Sequence, residues 1–473
     1  MQKSNWKKCK LGNVCDLIGG FAFKSKTFGD FANKVIKIAN IQPPYVDDKL
    51  EGVDLSNYNV EKLKKYLINY NDFCLAMTGA TIGKLGRYKS KLPAYLNQRV
   101  LTFRPNSEVD EDFLYHYLSL DSFQRFINNH IDSETAQPNI SATSIGQFEL
   151  LLPPVEEQKR IAEILGAFDD KIELLQKQNK TLENMAKALF KCWFVDFSVV
   201  RAKATLSSPA VISSPRAGEV ADKPMGGQST AWTKEKIMRE YHLTEELYNL
   251  FPSSFVDSPL GPIPSGWEVK TAGEIIDFSI GGGWGNDTET AEFSIKAPVI
   301  RGTDIPTLRS TGNTSNVPIR FHKKSNHTSR QLQYGDIVLE VAGGSKGQPV
   351  GRSLFVDSYI LGALTQVICA SFCKLLRANG DVLLPELFYL YLDQMYQTKE
   401  IEQYQVQSTG ISNFQFKQFC EEKTFVVPPI SIQKAFPIAF CIDKIENNKT
   451  QIQTLTELRD SLLPRLISGK IRV

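Results

Sequence analysis

The sequence predicts an α+β fold in which two similar mixed α/β domains are separated by two long helices that pair with each other. Two observations predict this fold. The second half of the 473-residue chain repeats motifs of the first half in the same order, and each copy ends in a stretch with the apolar spacing of a coiled coil. The chain is also longer than one hydrophobic core usually supports.

The repeat covers most of each copy. Trp6 and the following LGNVCDLIGGF match Trp267 and the following AGEIIDFSIGGGW. Short apolar runs such as FCLAM and DIVLEV, bounded by Gly, Asn and Asp, predict strands and therefore a mixed domain in each copy. Further matches join residues 35–41 to 299–305, 70–87 to 334–352, 113–118 to 387–392, 150–160 to 425–435 and 169–173 to 442–446.

The two helices are predicted by alternating spacings of four and three residues between apolar side chains. Asn179 interrupts the first stripe, Asn448-Lys449 interrupts the second, and a proline pair precedes each helix. A stripe this narrow fits a partner helix better than a broad core, so we expect the helices to pair. The predicted pairing residues are Ile161, Leu165, Phe168, Ile172, Leu175, Leu182 and Leu189, and Ile438, Ile442, Ile445, Ile452, Leu455, Leu462 and Leu466.

A linker is predicted between the first helix and the second domain. More than half of residues 205–231 are Ser, Pro, Ala or Gly, which is typical of an exposed and flexible connection. The predicted order is a first domain at 1–152, a first helix at 153–195, a partly flexible linker at 196–266, a second domain at 267–427 and a second helix at 428–473.

Composition and charge narrow the class of protein. The sequence has no apolar run of about 18 residues and no signal-peptide pattern, so we expect a cytoplasmic protein. Its 8 cysteines include no Cys-x-x-Cys pair, which argues against a disulfide framework and a zinc ribbon.

The net charge of +3 conceals two basic segments: residues 1–104 carry 18 Lys/Arg against 8 Asp/Glu, and residues 293–377 carry 11 against 4. Each segment suits a polyanionic partner.

No stretch predicts a catalytic or metal site. Gln42-Pro43-Pro44-Tyr45 differs by one residue from the Asn-Pro-Pro-Tyr of DNA adenine methyltransferases, but no glycine-rich turn for S-adenosylmethionine precedes it, and we interpret it as a proline-rich loop. GATIGKLG at 79–86 and GGSKGQPVG at 343–351 lack the spacing of a nucleotide-binding loop. Their glycines suit either a tight hairpin or close approach to a phosphate backbone.

Several motifs together resemble the specificity subunit of type I restriction-modification systems. They are Pro-Pro-x-x-x-Gln-Lys before each helix, ALFKCWFVDFSVVRAK after the first helix, LYNLFPSSFVDSPLGPIPSGWEV before the second domain and LLPRLISGKIRV at the end. The resemblance covers nearly the whole chain. The stretch at 205–231 departs from it, because it is longer than the connector of that family requires.

The resemblance implies two target-recognition domains, each reading one half of a bipartite double-stranded DNA site, and an antiparallel pair of spacer helices that sets the gap. It implies a subunit that is not an enzyme and on which two methyltransferase subunits and translocase-endonuclease subunits assemble. No cofactor is expected in this chain. S-adenosylmethionine, ATP and Mg are expected on the partner subunits.

Candidate DNA contacts follow from the chemistry of the loops. Lysine and arginine bind phosphates, while bases are read by side chains from loops that differ between the two copies. The candidates are Lys24, Lys26, Thr27, Gln42, Lys84 and Arg87 in the first domain, and Trp284, Asn286, Arg301, Arg309, Gln348 and Arg352 in the second.

Two other interpretations compete with a DNA specificity subunit. A stand-alone methyltransferase or nuclease would bind S-adenosylmethionine or cleave DNA with a metal. An interaction scaffold would use the paired helices and leave the basic segments without a nucleic-acid partner.

Overall fold

The computed structural model of the chain describes residues 6–131, 138–207, 232–343, 349–408 and 411–473. The chain divides into two compact units, the first made of residues 1–172 and 455–473 and the second of residues 173–454. Gln348 and residues 208–231, which hold most of the stretch predicted to be flexible, lie outside the described residues. Among the described residues, no helix is both long enough and apolar enough to cross a membrane.

The first mixed domain consists of short strands and short helices. In chain order they are β1 (Lys7–Lys10), β2 (Cys15–Gly19), β3 (Phe28–Ile36), β4 (Ile41–Gln42), β5 (Tyr45–Val46), β6 (Glu51–Val53), α1 (Val60–Leu63), β7 (Leu67–Ile68), β8 (Phe73–Ala76), β9 (Leu85–Arg87), β10 (Ala94–Leu96), β11 (Val100–Pro105), α2 (Glu111–Leu118), α3 (Asp121–Asn129), α4 (Ala142–Ile145) and β12 (Glu149–Leu152).

A long helix follows the first domain and leads into a connecting region. The elements are α5 (Val155–Phe190), which continues into a π-helical turn at Lys191–Val195, then α6 (Ser198–Ser207), α7 (Lys234–Glu240), α8 (Glu245–Leu250), β13 (Phe255–Val256) and β14 (Ile263–Pro264).

The second mixed domain and its long helix complete the chain. The elements are β15 (Glu268–Thr271), α9 (Ala272–Ile275), β16 (Ile276–Gly281), β17 (Ile295–Ile300), α10 (Ile305–Ser310), β18 (Ile319–His322), α11 (Lys324–Arg330), β19 (Ile337–Glu340), β20 (Ala342–Gly343), β21 (Ser353–Phe355), α12 (Ser358–Ala363), β22 (Ile368–Cys369), β23 (Cys373–Ala378), α13 (Pro385–Gln397), β24 (Gln405–Ser408), β25 (Ile411–Phe414), α14 (Phe416–Glu422), β26 (Thr424–Val427), α15 (Ile430–Ala435) and α16 (Ile438–Ile467).

The two mixed domains share one sheet plan. Antiparallel strands run in the order β2-β11-β8-β9 in the first domain and β16-β23-β19-β21 in the second. Each domain also contains one equivalent parallel pair, β3 with β10 and β17 with β22. An antiparallel pair, β1 with β12 or β15 with β26, precedes each long helix. The prediction of two similar mixed domains is confirmed.

In each copy, a glycine lies at the place where two main-chain segments pass very close to each other. A Cβ on Gly20 would lie 2.1 Å from the carbonyl oxygen of Asn97, and a Cβ on Gly282 would lie 2.1 Å from that of Ala370. No side chain fits at such distances. Gly20 and Gly282 are therefore required by the approach of two main chains.

A buried glutamine fixes the start of each helical segment to its own domain. The Gln158 side-chain amide donates to the carbonyl oxygens of Pro153 and Glu108, both at 2.9 Å, and its oxygen accepts from the Asp110 amide at 2.9 Å. Gln433 makes the three equivalent bonds in the second domain. The Pro-Pro-x-x-x-Gln motif thus satisfies three main-chain groups at each junction.

In the first unit, the beginning of α5 packs against the end of α16. Ile161 and Leu165 are fully buried in one core with Leu466. Beside this core, the Asp169 carboxylate accepts from Arg459 at 2.7 Å. The two helix segments therefore run antiparallel.

In the second unit, the end of α5 packs against the beginning of α16. Ala186 and Phe190 share a core with Ile438. Asn179 and Asn448, which interrupt the two apolar stripes, are both buried, and Asn448 Nδ2 donates to Asn179 Oδ1 at 2.8 Å. The antiparallel pairing of the helices is confirmed in each unit, and all predicted pairing residues are buried or half-buried.

Two segments differ from the prediction. Residues 196–266 contain three helices and a strand pair in their described part, because Val200, Ile237 and Phe251 are buried in the core of the second unit. The prediction weighed the composition of 205–231 and expected one short helix, at 242–251, where α8 is found. The second helix also does not run unbroken from residue 428, since α15 ends just before Phe436-Pro437 and proline cannot donate a helical hydrogen bond.

Candidate nucleic-acid interface

Four segments of the first domain meet at one end of its sheet. They are residues 20–27, 77–84, 97–99 and 138–140, and we call them the first loop edge. Main-chain hydrogen bonds join them: Gln98 N donates to Phe21 O at 2.8 Å, Met77 N to Arg99 O at 2.9 Å and Ile140 N to Met77 O at 3.0 Å. The edge is therefore a connected surface assembled from separate parts of the sequence.

The second domain builds the same arrangement, which we call the second loop edge. Its described segments are residues 281–286, 341–343, 370–372, 405–408 and 411–414. Gly283 N donates to Cys369 O at 2.9 Å, as Phe21 N donates to Leu96 O at 2.9 Å in the first domain. The other two bonds run from Val341 N to Phe372 O at 2.9 Å and from Phe414 N to Val341 O at 2.8 Å. Both domains thus present loops from the same end of the same sheet.

The first loop edge carries exposed cations on an ordered loop. Lys24 precedes a 3₁₀ turn and Lys26 lies within it, and the Lys24 amide donates to the Tyr58 hydroxyl at 3.0 Å. This bond lowers the pKa of Tyr58. Thr27 is buried and anchors the turn by donating to Lys24 O at 2.7 Å. The turn holds the two lysines outward without restricting their ammonium groups.

Further polar side chains join these lysines. Gln98 and Arg99 are exposed and Lys84 is half-buried. Within the described residues, none of Lys24, Lys26, Lys84 and Arg99 forms an ion pair with a carboxylate. A cluster of unpaired cations with exposed loop amides is suited to a phosphate backbone.

Among its described residues, the second loop edge carries exposed aromatic side chains. Phe372 is 61% exposed and Trp284 is 39% exposed. The Arg320 guanidinium lies 4.6 Å from the Trp284 ring centroid and pairs with Asp287. Asn286 is held by main-chain bonds to Phe321, with N donating at 2.8 Å and O accepting at 3.0 Å. This edge offers apolar and aromatic surface to a ligand.

The structure brings some of the predicted DNA contacts together and separates others. Lys24, Lys26, Thr27 and Lys84 lie on the first loop edge, and Trp284 and Asn286 lie on the second. Gln42 is exposed on β4, away from the edge, and its side chain donates to Ala39 O at 2.9 Å. Gln348 lies outside the described residues.

Four predicted arginines have carboxylate partners within the protein. Arg87 is buried, pairs with Asp112 and lies over the Tyr115 ring. The other three donate to carboxylates at 2.7 to 2.8 Å, in the pairs Arg301 with Asp304, Arg309 with Asp393 and Arg352 with Glu340. Arg309 with Asp393 and Arg352 with Glu340 are largely buried, and breaking a buried pair leaves an uncompensated charge and costs about 3–5 kcal/mol. These contacts favour a structural role for the four arginines over the predicted contact with DNA.

Sequence reasoning missed three residues of the loop edges, Gln98, Arg99 and Phe372. Gln98 and Arg99 lie between β10 and β11, and Phe372 lies between β22 and β23. The sequences of the two copies are not similar in this loop. That difference was itself a usable signal, since residues that read different bases should differ between otherwise repeated domains.

A polar pocket lies elsewhere in the first unit. Its lining includes Arg87, Asp112, His116 and Asp169. Burial lowers the pKa of His116 to about 4, against the opposing effect of Asp169, whose carboxylate oxygen is 3.9 Å from Nδ1. Of the charged groups in this pocket, Arg87 pairs with Asp112 and Asp169 pairs with Arg459.

Comparison with known proteins shows what the chain is similar to. The family described as Type I restriction modification DNA specificity domain matches residues 3–184. The HindI type I restriction enzyme specificity subunit of Haemophilus influenzae is 25% identical over 99% of this chain and 100% of its own length. The first part of the chain thus carries the specificity domain, and the whole chain is similar to type I restriction enzyme specificity subunits.

Other specificity subunits show similar relationships. The MjaIX subunit of Methanocaldococcus jannaschii is 24% identical over 81% of this chain and 74% of its own length. The crystal structure of the type I restriction-modification S subunit from M. genitalium superposes with a TM-score of 0.50 and 16% identity, covering 98% of this chain and 97% of that one. The structural likeness supports the fold of the specificity subunit described above.

Proposed function

We propose that this specificity subunit recognises a bipartite DNA target, with one half-site bound at each loop edge. The observation that carries the proposal is that the same loop edge occurs twice on two copies of one sheet plan. Duplicated readers match a target with two separate halves. The long helix α5, with 36 residues, is about 54 Å long and suits a spacer that sets the distance between the halves.

The partners and setting follow from the same proposal. Specificity subunits are not catalytic, so the chemistry belongs to two methyltransferase subunits and to translocase-endonuclease subunits that this chain positions on DNA. S-adenosylmethionine, ATP and Mg would bind those partners and no cofactor would bind this chain. The site of action would be the cytoplasm, where bacterial and archaeal DNA is located.

The test is selection of bound duplexes from a random pool by the full chain together with its methyltransferase subunit. We expect two short conserved blocks separated by a gap of fixed length without sequence preference. Affinity should fall steeply with salt because phosphate contacts release counterions. Equal affinity for every duplex sequence would refute the proposal, and salt-insensitive or absent DNA binding would favour an interaction scaffold.

A further inference from the structure

We propose that the two loop edges read their half-sites by different chemistry, with Arg99 as a cationic reader on the first edge and Phe372 as an apolar reader on the second. This inference rests on the proposed function, because it assumes that each edge meets DNA. It goes further by assigning a specificity-determining residue to each half-site.

Arg99 and Phe372 occupy the same position in the two copies. Each immediately precedes the central antiparallel strand of its domain, β11 or β23. The Arg99 carbonyl accepts from the Met77 amide at 2.9 Å, and the Phe372 carbonyl accepts from the Val341 amide at 2.9 Å. The carbonyl of each residue is thus fixed by an equivalent hydrogen bond, although only Arg99 of the two has a positive φ.

Both side chains are directed to solvent rather than to a core. Arg99 is exposed and adopts a positive φ of 72°, which is uncommon for a residue other than glycine and is retained only where the surrounding structure imposes it. Phe372 is 61% exposed, so its ring contributes little to folding through burial. Phe372 shares its edge with the exposed Trp284, Val406 and Ile411, and a group of exposed apolar side chains is typical of a surface that binds a ligand.

The neighbours of each residue reinforce the difference. Arg99 shares its edge with Lys24, Lys26 and Lys84, whereas the second edge has exposed apolar side chains, including Val406 and Ile411. Arginine recognises guanine edges and phosphates through charged hydrogen bonds, whereas phenylalanine contacts thymine methyl groups and base surfaces without exchanging counterions. The salt dependence of DNA affinity therefore distinguishes Arg99 from Phe372.

The experiment measures the affinity of the full chain with its methyltransferase subunit for the selected duplex at several salt concentrations. Arg99→Ala should weaken binding on the order of tenfold and reduce the slope of log Kd against log salt by about 1. Phe372→Ala should weaken binding to a similar degree and leave the slope unchanged. Phe372→Leu, which keeps an apolar side chain, should recover most of the affinity.

Matched controls lie before other strands of the same two domains. Lys91→Ala removes an exposed cation that precedes β10, and Tyr334→Ala removes an exposed aromatic ring that precedes β19. Both should bind as the unchanged chain does. In selection from the random pool, Arg99→Ala should relax the sequence preference at one half-site. Phe372→Ala should relax the sequence preference at the other half-site.

Three results would overturn the inference: wild-type affinity for Phe372→Ala, a changed salt slope for Phe372→Ala, or an unchanged slope for Arg99→Ala. Relaxation of the same half-site by both variants would also overturn it. The proposed function would survive each of these results if the unchanged chain still selects two blocks. Failure of the unchanged chain to select any sequence would instead refute the proposed function.

Discussion

At the scale of single residues, buried charges hold the long helices to the domains. Asp393 is 1% exposed and accepts from Arg309 at 2.7 Å and from Lys187, on α5, at 2.8 Å. Burial alone would raise the pKa of the Asp393 carboxyl, but the two cations outweigh burial and lower it. On α16, Lys449 donates to the buried Asp357 at 3.0 Å. Each long helix is therefore fixed to the second domain by a specific charge pair.

The buried His116 predicts how stability depends on pH. Its folded pKa of about 4 lies below the ordinary value of 6.5 because burial disfavours the charged imidazole. Between these values the unfolded chain binds a proton that the folded chain does not, so stability falls as the pH drops from 6.5 toward 4. We expect His116 to lower the free energy of unfolding by about 2 kcal/mol between pH 7.5 and pH 5, measured by urea titration.

A variant isolates this contribution from other titrating groups. His116→Asn should lose this part of the pH dependence, because it removes the imidazole that the unfolded chain protonates. The exposed His130 is the matched control, and His130→Asn should retain the full dependence. An undiminished decline of stability in His116→Asn would show that other groups cause it.

At the scale of elements, a polar pair sets the register of the two helices in the second unit. Asn179 and Asn448 are 2% and 1% exposed and bond to each other across the seam. A buried asparagine pair is satisfied only in one alignment, whereas apolar side chains tolerate slippage. The polar interruptions of the two stripes are therefore part of the pairing.

Replacement of these asparagines should separate stability from register. Asn179→Leu leaves Asn448 buried without a partner and should lower the free energy of unfolding by about 1–3 kcal/mol. The double change to leucine should recover that loss while allowing alternative alignments. Asn184→Leu, an exposed position on α5, is the control and should have little effect. A single variant as stable as the unchanged chain would contradict the assigned role.

At the scale of the whole molecule, the length of the paired helices should control the spacing of the target. Inserting four residues into both helices lengthens each by about 6 Å. At about 3.4 Å per base pair this predicts a gap that is about two base pairs longer, with the half-site sequences unchanged. Selection from a random duplex pool measures both quantities. New half-site sequences with the original spacing would contradict the role of the helices as a spacer.

The sequence by itself determined the repeat, the strands and the long helices. Apolar periodicity and glycine or proline positions depend only on order along the chain, and they were sufficient for the fold class. The Pro-Pro-x-x-x-Gln motif located Gln158 and Gln433 in the sequence, although their buried hydrogen bonds are visible only in the folded chain. The family resemblance also rested on short sequence motifs of this kind.

The tertiary structure alone decided which loops meet and which cations are free to bind a ligand. Arg87 and Arg309 looked equivalent to Lys24 and Lys84 as loop cations, but their partners Asp112 and Asp393 lie 25 and 84 positions away. The first loop edge likewise joins segments that are scattered over residues 20–140. Such contacts depend on distances in space, which no periodicity of the chain records. For that reason the sequence predicted a DNA-reading subunit, while its candidate reading surface emerged only from the fold.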